Sequence, residues 1–85
     1  MYFKVNRKQL KNALLLLQNR IKAFEKDPMN NGENNYTYLT LTDYVEEIQF
    51  ALYKTKLNEF YIDYEFAQQI RSSLNKKDRE ILKWN

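Results

Sequence analysis

Two short groups of carboxylates, Asp43/Glu46/Glu47 and Asp63/Glu65, are the side chains of this sequence best spaced to do chemistry together. In a helical segment Asp43 and Glu47 stand one turn apart, a spacing that can hold a magnesium ion between oxygens. The positive end of a helix dipole attracts the same residues for electrostatic reasons alone, and that structural role is the expected one. Nucleophilic chemistry has less to draw on. The sequence has no histidine and no cysteine, and its only serines, Ser72 and Ser73, have no spacing that points to a particular lysine. Phosphate-cradling loops need glycines, and Gly32 is the only one. These residues predict a non-enzymatic protein with no cofactor and no metal.

Basic residues are the second group with chemical meaning. Arg7, Lys8, Lys11, Lys22 and Lys26 gather in the first third of the chain, and cationic helices flanked by tyrosines can contact phosphates and stack on bases. The formal net charge is only +3, however, and residues 28–53 contain four carboxylates and no basic side chain. The chain is polarised more than it is basic. Residues 63–84 also lack the glycine-containing turn frequent in helix-turn-helix units. DNA or RNA binding through the first helix is therefore the alternative reading.

The elements that must carry these residues follow from periodicity. Leu10, Leu14, Leu17, Ile21 and Phe24 recur at helical spacing, which predicts a helix from about Arg7 to Glu25 that Asp27-Pro28 ends. Residues 28–35 read as a polar loop and the likeliest mobile segment. A capping box of Thr40 and Asp43, stapled by Leu39 and Tyr44, predicts a second helix over 41–57. It would place Leu41, Tyr44, Val45, Ile48, Ala51, Leu52 and Thr55 on one side. Residues 60–66 (FYIDYEF) alternate like a strand, yet Ile62, Phe66, Ile70 and Leu74 also form a helical face. A third helix from about Asp63, with Asp63 as N-cap, accounts for more residues, and Asn75 with Asp78 caps a short final one.

The expected architecture is thus a mainly α single domain, residues 1–85, with three longer helices and a short C-terminal helix. Its alternative is an α+β domain with a small sheet from residues 2–6, 36–40 and 59–63.

Short pieces resemble a known family. The stretch FKVNRKQLKNAL is similar to the strand-then-helix opening of bacterial sliding-clamp subunits, and LTLTD followed by FYIDYEFAQQIRSSL resembles parts of their first domain. That resemblance implies a strand over residues 44–54, against the helical periodicity there. No functional residue carries over from it.

What remains is apolar surface. Among Leu14 to Leu17, wheel arithmetic puts Leu14 and Leu17 in the core seam, lets Leu16 widen it, and leaves Leu15 alone among Lys8, Asn12, Asn19, Lys22 and Lys26. Phe50, Tyr53 and Leu57 likewise fall opposite the second helix's apolar stripe. Either the chain ends, carrying Tyr2, Phe3 and Trp84, fold over these side chains, or they form a protein interface rich in aromatic residues. The functional expectation is a small cytoplasmic protein, with no membrane span, that binds a protein partner or a second copy of itself. The composition suggests a phage or mobile-element inhibitor or regulator of a host nucleic-acid-handling protein.

Overall fold

In the computed structural model, residues 1–26, 36–82 and 84 are described, and the predicted loop at 28–35 lies outside them. The chain runs β1 (Tyr2–Asn6), α1 (Arg7–Lys26), α2 (Tyr36–Lys54), β2 (Glu59–Asp63), α3 (Tyr64–Ser73) and α4 (Lys76–Leu82). It is a helix-dominated globule, as the periodicity predicts, with one small sheet at two of the three positions of the alternative reading.

Both strands feed directly into helices, and the last residue of each strand caps the helix that follows. The Gln9 backbone N–H donates to Asn6 Oδ1 (2.7 Å) while the Asn6 N–H donates to Gln9 Oε1 (2.9 Å), a reciprocal capping box at the start of α1. At α3, the Glu65 N–H donates to Asp63 Oδ1 (2.8 Å), the cap expected from the sequence. The Asp78 N–H donates to Asn75 Oδ1 (2.8 Å), which starts α4 as expected.

β1 and β2 pair antiparallel, with Phe3 opposite Ile62 and Val5 opposite Phe60 on the inner face. Tyr2, Lys4, Glu59 and Tyr61 occupy the wet outer face, where Lys4 Nζ and Glu59 Oε1 stand 3.2 Å apart. An exposed pair of this kind is worth at most about 1 kcal/mol. One side buried and one side wet is the usual state of an antiparallel sheet.

Several expectations are corrected. The predicted third strand at 36–40 is the first turn of α2, so the sheet has two strands. Threonine and tyrosine favour strands, but here the Thr40 and Thr42 hydroxyls donate back to the carbonyls of Tyr36 and Tyr38 four residues earlier. That local bond lets threonine sit in a helix, and it takes the place of the predicted Thr40/Asp43 capping box. The second helix consequently begins at Tyr36 rather than Leu41 and ends at Lys54 rather than Leu57. Residues 44–54 lie inside it, so the strand implied by the sliding-clamp resemblance is absent, although its strand-then-helix opening is present in β1 and α1.

The core lies between α1, α2, the inner sheet face and α3, with Leu10, Ala13, Leu17, Leu41, Ile48 and Ile70 almost fully buried. In α1 the seam is centred one residue away from expectation: Leu16 and Leu17 are buried and Leu14 is only half-buried. Trp84 is buried too, its ring centre 6.1 Å from that of Phe3. The C-terminal tryptophan therefore covers the sheet side of the core and not the outward faces of α1 or α2.

Candidate functional site

Arg7 belongs to the frame of the site. As the first residue of α1 it reaches back to the end of α2, where its guanidinium donates to the carbonyls of Leu52 (3.3 Å), Leu57 (3.2 Å) and Thr55. Its guanidinium carbon also lies 5.1 Å from the centre of the Phe60 ring. The last turn of a helix leaves carbonyls without partners, and a cation there satisfies both hydrogen bonding and dipole. This clamp fixes the C-terminal half of α2 against β2. It also commits to the fold a side chain that the sequence places among candidate nucleic-acid contacts.

Lys8, Lys11, Lys22 and Lys26, the other candidates, are all exposed. By the 100° advance per residue they fall within an arc of roughly 60° along α1. Leu15, 57 % exposed, stands in that arc.

The four candidate interface residues stay uncovered: Leu15, Phe50 (59 % exposed), Tyr53 (89 %) and Leu57 (69 %). Phe50 forms a wall of a cleft of about 300 Å³ between α2, β2 and the start of α3, which neither Leu15, Tyr53 nor Leu57 lines. Leu10, Ile48, Phe60 and Ile62 are the buried lining of that cleft, and Phe50, Tyr61 and Phe66 are its more accessible aromatic side chains. Lys54 Nζ sits 5.0 Å from the Phe50 ring centre, so the ring already accepts a cation on one face.

Carboxylates surround the mouth. Glu47 and Asp63 line the cleft itself, and Asp43, Glu46 and Glu65 line the adjoining surface depressions. None of these three linings contains a basic residue. The grouping of Asp43/Glu46/Glu47 with Asp63/Glu65 is tertiary: α2 and the β2–α3 junction bring together two acidic stretches that the sequence separates. Among the described residues, no three acidic side chains are close enough to hold a metal ion.

Tyr61 and Phe66 are members of the site that sequence reasoning missed. The signal was present, because alternation in FYIDYEF turns Tyr61 outward while Phe60 and Ile62 point in. Tyr44 packs edge-on against Phe66, 5.6 Å between centres at 77°, and holds it at the cleft's end. Burial raises the Tyr44 phenol above its ordinary pKa, helped by Tyr36 and by the carboxylates of Asp43 and Glu47.

A second cleft, about 400 Å³, is lined by Arg20, Tyr36, Thr40, Tyr44, Gln69 and Ser73 among others. Arg20 stacks on Phe24 at 5.6 Å, and its buried Nε has no partner among the described residues. The Thr40 and Ser73 hydroxyl protons are already given to helix carbonyls, so these groups offer lone pairs where an anion would need donors.

The chain matches no protein-family model, no curated protein sequence and no solved structure. Among the described residues no helix is long and apolar enough to cross a membrane.

Proposed function

We propose that the chain is a non-enzymatic interaction protein that acts by binding another protein through the cleft beside Phe50. The observation that carries this reading is the Phe50 side chain itself, more than half exposed yet forming the wall of an apolar cleft with Tyr61 and Phe66. Aromatic side chains at the edge of a recess are the residues that dominate protein interfaces. A sequence without histidine or cysteine supports the non-enzymatic part. Occupying a partner's surface is the mode of action of a small inhibitor or regulator.

The test compares wild-type and Phe50→Glu protein as bait in lysate of the native host, with circular dichroism showing both folded. A discrete partner held by the wild type and lost from Phe50→Glu supports the reading. Identical capture by both proteins overturns it.

The lysine arc on α1 favours a second reading, nucleic-acid binding. Four exposed lysines on one helix face would give an affinity that falls steeply with salt and weakens on reversal of Lys8, Lys11 and Lys22 to glutamate. No binding to DNA or RNA at low salt disposes of it.

A further inference from the structure

The cleft beside Phe50 follows the open edge of a β-strand. Its lining includes four consecutive residues of β2, Phe60 to Asp63. Successive strand side chains point to opposite faces, so a recess touching all four runs along the strand's edge. No residue of β1 lines it, which makes it the edge away from β1.

The ladder fixes which backbone groups that edge offers. Arg7 N–H donates to Asn58 O (2.9 Å) and Tyr64 N–H to Met1 O (3.0 Å), continuing the β1–β2 register at its two ends. Antiparallel pairs alternate between bonded and non-bonded positions. Phe60 and Ile62 therefore bond to β1, and the N–H and C=O groups of Glu59 and Tyr61 turn to the open side, with the N–H of Asp63 at its end. Among the described residues, no backbone hydrogen bond from outside the strand pair reaches Tyr61.

Resting on the interaction reading above, we propose that this edge takes an extended segment of a partner protein with basic and apolar residues in alternation, added as a third strand. Strand addition draws affinity from main-chain bonds and specificity from alternate side chains. Apolar side chains would enter the recess over Phe60 and Ile62, against Phe50 and Phe66. Lysine or arginine at the intervening positions would share the outer face with Tyr61 and meet Glu59 and Asp63 there.

Charge also argues against a second copy as the occupant. Two β2 edges paired antiparallel about Tyr61 would set Glu59 of each copy opposite Asp63 of the other, and like charges directly opposite in a sheet are destabilising.

The test titrates the full chain with labelled, capped octapeptides of alternating lysine and valine, of alternating glutamate and valine, and of the lysine form N-methylated at every residue. The lysine peptide binds at least about tenfold tighter than either other, a difference of ~1.4 kcal/mol. Raising salt weakens it, as does reversing the exposed Glu59 to lysine, a variant whose circular dichroism confirms folding.

Equal binding of the methylated peptide overturns strand addition, and equal binding of the glutamate peptide overturns charge selection. No binding of any peptide, or concentration-dependent self-association that the lysine peptide does not compete, overturns the proposal as a whole. If Phe50→Glu still abolishes capture of a partner while the peptides fail, the interaction reading stands and this one falls.

Discussion

Arg7 stacks its guanidinium 5.1 Å from the Phe60 ring centre and donates from the same group to the carbonyls of Leu52, Thr55 and Leu57. One side chain thus closes α2, anchors the turn that follows and braces the inner face of β2. Hydrogen bonds from charged groups contribute about 1.5–3 kcal/mol each where partly shielded, and the stacking adds roughly 0.5–2 kcal/mol. These terms are not additive, so Arg7→Ala is expected to cost about 2–4 kcal/mol. Arg7→Lys keeps the charge but loses the fork and recovers less than half. Urea unfolding followed by circular dichroism measures both; unchanged stability in Arg7→Ala would return this residue to the nucleic-acid reading.

The two strand-end caps are expected to behave alike despite their different chemistry. Asn6→Ala removes the acceptor for Gln9 N–H, and Asp63→Ala removes the acceptor for Glu65 N–H. Each should cost about 1 kcal/mol. Only Asn6 has a reciprocal partner, so a double-mutant cycle with Gln9→Ala should show coupling and one pairing Asp63→Ala with Gln9→Ala should not.

Much of this fold is legible in local sequence. The helical spacing from Leu10 to Phe24, the caps at Asp63 and Asn75, and the outward Leu15 and Phe50 are all local patterns, and the structure repeats them. The start of α2 is not, because burial of Leu41, Val45 and Ile48 on one helix face overrides a strand preference that composition records but conformation does not obey. The two readings of residues 59–66 are both right in part: the strand ends where Asp63 caps the helix. The cleft was hidden for a different reason. Its acidic rim joins residues about 20 positions apart, and the clamp that holds α2 beside β2 links Arg7 to carbonyls 45 to 50 residues away. No periodicity encodes such a contact.

Tyr44 gives the fold an alkaline limit. Its phenol titrates above the ordinary value of 10.0, first because it is shielded from water and then because Tyr36, Asp43 and Glu47 lie near. The folded state therefore holds this proton more firmly than the unfolded chain does. The stabilisation is fully present below pH 10 and is lost as pH rises through the raised folded value. Stability measured from pH 9 to 11.5, with tyrosinate absorbance recorded alongside, should fall more steeply for the wild type than for Tyr44→Phe. Tyr38 is raised as well, through its hydrogen bond with Glu25. Its phenol is raised by that hydrogen bond more than by burial, so Tyr38→Phe should leave that slope nearly unchanged.

Mutational tests of the cleft depend on Phe50 being surface and not core, and that can be measured first. The ring stacks with Lys54 at the surface, a contact worth about 0.5–1 kcal/mol. Phe50→Glu should therefore shift unfolding free energy by no more than about 1 kcal/mol, and Leu15→Lys by about 0.5 kcal/mol or less. Leu17→Ala, in a side chain with no exposure at all, should cost about 2–5 kcal/mol by comparison. A loss above about 2 kcal/mol in Phe50→Glu would show that the ring is structural. It would then leave Tyr61→Glu, on the outer face of β2, as the substitution that probes the open edge.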